Sequence, residues 1–177
     1  MARGETSREK ILEAASDLAF CEGAAHLSLD AVAARAGVSK GGLLYNFPNK
    51  AALMHALVNK FLDEFRDRLD EAADGCDSNL AERYVDLAIA DMEKKATTSS
   101  GLLAALAEDP SMLAPVKTFN RELVDRMKAG AQDPGAILVL FLVLEGLRAQ
   151  LVFGTDILEP QERALVLEKL AALIGVA

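Results

Sequence analysis

The stretch from Ser28 to Lys50, SLDAVAARAGVSKGGLLYNFPNK, constrains the fold more than any other part of the chain. It predicts two short helices joined by a tight turn. In the first helix, Leu29, Val32 and Ala33 share one face because they are three and four residues apart. Gly37 follows where the chain must reverse, since glycine adopts positive φ at low cost. This order of segments is typical of a helix-turn-helix.

Polar residues stand where the two helices are predicted to begin. Ser28 and Ser39 are good N-caps, since a serine hydroxyl accepts a free backbone N–H. In the second helix, Leu43 and Phe47 are four residues apart and are predicted to face inward. A helix-turn-helix places its second helix in the DNA major groove, so the residues that face elsewhere are candidate DNA contacts. These are Lys40, Gly41, Gly42, Leu44, Tyr45 and Asn46.

Two further features of this stretch favour contact with a polyanion. Gly41 and Gly42 each cost a helix roughly 1 kcal/mol relative to alanine, so they indicate either close approach of the backbone to a duplex or a frayed helix start. Lys50 stands in the first turn of the next helix, behind the predicted cap Asn49, where the helix dipole disfavours a positive charge. A phosphate bound by Lys50 and the free N–H groups of that helix end explains the placement.

The rest of the chain is predicted to be helical, because Ala and Leu dominate and Trp is absent. Apolar residues recur with helical spacing over residues 7–21, 50–73, 79–96, 101–107, 115–128, 134–153 and from 160 onward. The helix over 50–73 is long enough to join an N-terminal head to the body. The helix over 134–153 is apolar nearly all round, so we expect it to be buried on most sides and to meet a second subunit.

Charge is distributed unevenly along the chain. Residues 1–50 contain six basic and six acidic side chains, so the net charge of −8 falls on the remainder. A neutral head on an acidic body is compatible with DNA binding if its basic side chains cluster. Arg3, Arg8 and Lys10 form either a solvated face or a set of phosphate contacts.

The sequence favours a cytoplasmic protein without a membrane partner. The N-terminus lacks the apolar core of a signal peptide, and the apolar run over residues 136–144 is too short for a membrane span. Cys21 and Cys76 are far apart, outside any metal-ligand spacing, and we expect reduced thiols. The two histidines form no catalytic or metal-binding constellation, so we expect no metal, no cofactor and no enzyme activity.

From Arg8 to Leu53 the sequence resembles the tetracycline-repressor-like (TetR) family of bacterial transcriptional regulators. The resemblance rests on REKILEAASDLAFCEG and LSLDAVAARAGVSKGGLLYNFPNKAAL and covers about a quarter of the chain. It implies an all-α protein with a three-helix DNA-binding head over residues 1–50. It also implies a helical ligand-binding and dimerisation domain over residues 51–177.

The resemblance also implies which residues contact DNA. Eight residues of this chain occupy positions that often touch DNA in the family. Leu44 stands where the family commonly has tyrosine, and it contacts either a thymine methyl or only the sugar backbone. Asn46 stands where histidine is frequent, so it too is a changed contact. The eight positions are those of Ser28, Ser39, Lys40, Gly41, Gly42, Tyr45, Asn46 and Lys50.

The function that follows is a transcriptional repressor that binds an inverted-repeat DNA operator as a homodimer and is released by a small-molecule ligand. The alternative is a ligand- or protein-binding helical module whose head no longer binds an operator. A partly apolar ligand is expected among the middle helices, where the candidate lining residues are otherwise ordinary core. They are Met92, Leu103, Leu106, Met112, Phe119, Leu123 and Phe141.

One charged pair interrupts the apolar helix over 134–153. Glu145 and Arg148 are three residues apart and therefore lie on the same side of a helix. They pair with each other, across a dimer or with a ligand, and we favour a structural pair.

Overall fold

The computed structural model describes residues 6–22, 27–71, 80–93 and 113–174, and these residues are all-helical. The predicted all-α class is therefore confirmed. Arg3, Cys76, the predicted helix over 101–107 and the side chain of Cys21 lie outside the described parts. The helices are α1 (Ser7–Glu22), α2 (Leu29–Ala36), α3 (Lys40–Asn46), α4 (Lys50–Glu71), α5 (Leu80–Glu93), α6 (Leu113–Ala129), α7 (Pro134–Phe153) and α8 (Pro160–Ile174).

Local polar signals determine where several of these helices begin. Thr6 and Glu9 form a capping box at α1, in which the Thr6 backbone N–H donates to Glu9 Oε2 at 2.6 Å and the Glu9 N–H donates to Thr6 Oγ1 at 3.2 Å. The Thr6 N–H, together with the Thr6 hydroxyl that donates to the same Oε2 at 2.9 Å, lowers the pKa of Glu9. Asp133 caps α7, where its Oδ1 accepts the backbone N–H of Gly135 at 2.8 Å. Gly154 ends the same helix in the left-handed conformation, with φ 64°.

The chain divides into two compact units. Of the described residues, the first unit contains those up to Asp63 together with 113–116, and the second contains the others from Glu64 onward. Helix α4 begins in the first unit and ends in the second.

The core of the first unit is built by α1 to α4. Leu43 and Phe47 are buried, with 0% and 3% of their surface exposed, as predicted. They pack with apolar residues of the neighbouring helices, and this packing holds α3 in place. The other buried members are Ile11, Leu12, Ala14, Ala15, Leu18, Ala19, Leu27, Val32, Ala33, Leu53, Met54, Leu57 and Val58.

Four aromatic rings form a connected group inside the second unit. The Phe65 ring meets Tyr84 and Phe119 edge to face, with centroids 6.3 and 6.0 Å apart. Tyr84 stacks on Phe141 at 5.7 Å. The Arg148 guanidinium lies 5.7 Å above the Phe65 ring. Such ring pairs contribute beyond their buried area, so these contacts tie α4, α5, α6 and α7 together.

The charged pair of α7 belongs to the same region. Glu145 Oε1 accepts hydrogen bonds from the Arg148 guanidinium at 3.0 Å and from the Tyr84 hydroxyl at 2.9 Å. Only 1% of Tyr84 is exposed. The predicted pairing of Glu145 with Arg148 is therefore confirmed, and Tyr84 joins it from another helix.

Helix α7 departs from two expectations. Only 28% of the window Pro134–Leu151 is buried within the chain, so the prediction of burial on most sides is wrong for a single copy. By length and composition this window, with a mean hydropathy of 1.6, is also apolar enough to cross a membrane. The uninterrupted apolar run is shorter than this window, because Glu145 ends the run while the helix continues with that charge paired to Arg148. Leu142 and Phe153 are 68% and 63% exposed.

Candidate DNA-binding surface

The turn between α2 and α3 is fixed by backbone hydrogen bonds and a left-handed glycine. Ser28 Oγ accepts the Ala31 N–H at 3.1 Å and caps α2. Gly37 has φ 66°, a left-handed backbone conformation that would be strained in a residue with a side chain. The Val38 N–H donates to the Ala33 carbonyl at 3.0 Å. Together these groups close α2 and direct the chain into α3.

Helix α3 has one anchored face and one presented face. Leu43 is buried in the head core, whereas Tyr45 is 91% exposed and Leu44 is 38% exposed. The Lys40 side chain is 62% exposed. A helix this short depends on tertiary packing for its stability, so the inward residues fix the direction in which the outward ones point.

The two glycines of α3 have different surroundings. A Cβ at Gly42 would lie 3.3 Å from Ser39 Oγ, and the Gly42 N–H donates to that oxygen at 3.1 Å. Glycine at this position therefore leaves room for the helix cap. A Cβ at Gly41 would meet only the same oxygen, at 4.0 Å. Nothing in the described part of the chain requires glycine at 41, which favours close approach of an external molecule.

Besides the cap serines Ser28 and Ser39, two further predicted contact residues are engaged within the protein. Lys40 Nζ lies 2.9 Å from Asp30 Oδ1 and 3.1 Å from Asp30 Oδ2. Asn46 Nδ2 donates to the Gly42 carbonyl at 2.9 Å, and this side chain is half-buried. The sequence did not single out Asp30, because the pair joins residues of two helices across the turn. Asn46 keeps its amide oxygen and its second N–H for an outside partner.

Lys50 and Arg8 extend the presented surface beyond α3. Asn49 Oδ1 accepts the Ala52 N–H at 2.8 Å, so α4 begins at Lys50 as predicted. The Lys50 side chain is exposed, and no acidic group in the described ranges pairs with it. The Arg8 guanidinium lies 5.3 Å above the Phe47 ring, next to the end of α3. This contact depends on tertiary structure, which the sequence alone does not give.

The structure describes four of the seven candidate ligand residues. Leu103, Leu106 and Met112 lie outside the described residues, and Met92 is half-buried. Phe119 and Leu123 are buried and line a small hollow in the second unit, with room for little more than a water molecule. The other lining residues are Arg66, Leu69, Glu122 and Arg126. Phe141 does not line this hollow but stacks on Tyr84 in the aromatic group. Within the described ranges, no three His, Cys, Asp or Glu side chains are grouped to hold a metal ion.

Comparison with known families now identifies the chain. Residues 11–57 match the pattern of bacterial regulatory proteins of the tetR family, and residues 78–175 match the tetracyclin repressor-like C-terminal domain. The second match alone covers more than half of the chain. The chain belongs to the TetR family. TetR-family members are non-enzymatic DNA-binding transcriptional regulators, so this chain is a regulator and not an enzyme.

Solved structures share the fold of this TetR-family chain along nearly its whole length. The proposed transcriptional regulator SCO7518 from Streptomyces coelicolor A3(2) is 28% identical, with a TM-score of 0.73, over 95% of this chain and 98% of that one. The multidrug binding protein EbrR, complexed with malachite green, is 25% identical, with a TM-score of 0.68, over 94% and 96%.

NalD of Pseudomonas aeruginosa, the secondary repressor of the MexAB-OprM multidrug efflux pump, is 22% identical. Its TM-score is 0.60, and the alignment covers 94% of each chain. At this identity NalD shows the fold alone. No curated protein matches the sequence.

Proposed function

We propose that this TetR-family chain is a homodimeric repressor that binds an inverted-repeat operator and leaves it when a small molecule binds. The observation that carries the proposal is the presented face of α3. Tyr45, Lys40 and Gly41 point outward from a helix whose Leu43 is fully buried. Arg8, above the Phe47 ring, and Lys50, three residues beyond Phe47, supply positive charge next to the end of that helix. Base contacts from α3 and phosphate contacts from the flanking cations are the arrangement that a helix-turn-helix uses.

The proposed dimer uses the exposed apolar face of α7 and α8. Leu138, Leu142, Gly146 and Phe153 follow one another at helical spacing along α7, and all are exposed. A Cβ at Gly146 would meet nothing within 4 Å, so a second helix has room to approach there. Burying these side chains against a second copy removes apolar surface from water at about 25 cal/mol per Å². The exposure of this apolar face in a DNA-binding regulator supports the proposal of an interface between two copies.

Twofold pairing places two α3 helices on successive major grooves, about 34–36 Å apart. The operator is then an approximate inverted repeat. The test is selection of bound duplexes from a random-sequence pool, followed by footprinting on the DNA that flanks the protein's own gene. Enrichment of a two-half-site repeat supports the proposal. Enrichment of no sequence contradicts it and favours a helical module that has lost operator binding.

The proposed ligand is small and partly apolar, and it binds in the second unit. The support is the aromatic group around Phe65, together with the structures of EbrR with imidazole, malachite green and ethidium. A drug-sized ligand needs a pocket of roughly 300–1,000 Å³. Since the hollow beside Phe119 is much smaller, side chains must rearrange on binding.

Calorimetric titration of the DNA-free protein with malachite green tests the proposed ligand binding separately from DNA binding. A Phe119→Ala variant should bind more weakly, and Leu113→Ala, an exposed change in the same helix, should not. Binding without release of the selected duplex would contradict the regulatory step.

A further inference from the structure

The ion pair between Asp30 and Lys40 crosses the turn of the helix-turn-helix. Both side chains are exposed, at 71% and 62%, and both carboxylate oxygens lie within 3.1 Å of the ammonium nitrogen. Asp30 lies in the first turn of α2, and Lys40 is the first residue of α3. A positive charge at the start of a helix opposes the dipole of that helix, and the Asp30 carboxylate offsets this effect.

The contribution of this ion pair to the stability of the fold is too small to explain why both charges are present. Exposed ion pairs contribute little to the free energy of folding, because water and salt screen them. An acidic group beside the presented face of α3 also repels DNA phosphates. The pair therefore calls for an explanation that involves the DNA contact itself.

We propose that Asp30 is a positioning residue that directs Lys40 toward a base edge and away from phosphates. An ammonium group has three N–H donors. One of them donates to Asp30, whose two carboxylate oxygens lie 2.9 and 3.1 Å from the nitrogen, so N–H donors remain for the O6 or N7 atom of a guanine in the major groove. A lysine without such a partner swings freely and reaches phosphates, which carry no sequence information. This inference rests on the proposed operator binding.

The test compares wild type with Asp30→Asn on two duplexes, one selected by the wild-type protein and one scrambled from it. Asp30→Asn should bind the scrambled duplex more tightly. Its logarithmic salt slope on that duplex should steepen by about 1 per subunit, because Lys40 adds a phosphate contact. The ratio of selected to scrambled affinity should fall roughly threefold, a size typical of exposed ion pairs. Asp30→Glu, which keeps the charge, should retain most of the ratio.

A double-mutant cycle with Lys40→Met shows whether Asp30 acts through Lys40. In the Lys40→Met background, Asp30→Asn should leave the affinity ratio unchanged. An equal gain on both duplexes in the wild-type background would overturn the proposal, because Asp30 would then only repel phosphate. The same change of ratio with and without Lys40 would also overturn it. Failure of the wild-type protein to select any sequence contradicts the proposed function, and this inference with it.

Discussion

At the scale of single residues, neighbouring positions of α3 serve different purposes. Gly42 makes room for the Ser39 cap, whereas Gly41 borders open space. Leu43 anchors the helix and Tyr45 is presented. This division explains how a helix of seven residues can be fixed by buried packing and still present an exposed face to DNA.

Gly41→Ala should separate folding from DNA binding. The added methyl has open space and alanine favours helix, so we expect the free energy of unfolding to rise by up to about 1 kcal/mol. The affinity for a selected duplex should nevertheless fall, because the methyl occupies the space that the DNA backbone needs. Urea unfolding and fluorescence anisotropy measure the two effects.

Gly42→Ala is the matched control for Gly41→Ala. Its Cβ would crowd the Ser39 cap, so it should stabilise the protein less than Gly41→Ala does. Unchanged DNA affinity in Gly41→Ala would show that the glycine is not a point of close approach.

Tyr84 should make the stability of the protein sensitive to alkaline pH. Burial, and then the neighbouring Glu145 carboxylate, raise the pKa of Tyr84. Above the usual tyrosine pKa of about 10, the unfolded chain loses this proton while the folded chain retains it. The free energy of unfolding should therefore fall as the pH rises past about 10.

Urea unfolding between about pH 8 and pH 11 measures this dependence on either side of the ordinary tyrosine pKa. Tyr84→Phe should reduce the alkaline decline, at the cost of about 1 kcal/mol at pH 8 for the lost hydrogen bond. Tyr45→Phe, which changes the exposed tyrosine, should leave the decline in place. An identical decline in all three proteins would show that Tyr84 does not cause it.

At the scale of helices, the sequence predicted starts, stops and inward faces well, because local groups determine them. Ser28, Gly37, Ser39 and Asn49 each act on backbone atoms within four residues. The contact of Arg8 with Phe47 and the pairing of Asp30 with Lys40 were not predictable, since they join different helices. Helix α7 was misjudged for a related reason. Apolar composition shows that a face avoids water without showing what covers it.

The exposed face of α7 leads to a prediction about assembly. Leu142→Glu places a charge in the proposed interface, where it would be buried without a partner, so dimers should dissociate. Sedimentation velocity should show monomers at concentrations where wild type is dimeric. Leu113→Glu, at an exposed leucine of α6, is the control and should remain dimeric. A wild-type protein that sediments as a monomer would contradict the interface.

At the scale of the whole molecule, DNA binding must overcome a net charge of −8 per chain. Phosphate contacts are therefore expected to come from few residues, chiefly Arg8 and Lys50 in each of two subunits. Four such contacts give a slope of about −3.6 in log affinity against log salt. The body contributes no attraction, so the dependence should be modest for a dimer.

Lys50→Met should weaken binding to selected and scrambled duplexes alike and reduce this slope by about 2, one contact in each subunit. Lys117→Met, an exposed lysine of α6, should change neither quantity. Gel shifts over a series of salt concentrations provide the measurement. A loss confined to the selected duplex would show that Lys50 reads bases instead of phosphates.

The open face of α7 has a consequence for gene control. If two chains must meet before either grips an operator firmly, occupancy of the operator follows the square of the chain concentration when chains are scarce. Small changes in synthesis or degradation then produce large changes in repression. The leucines that a single copy leaves in water would thus set how sharply the cell switches its target genes.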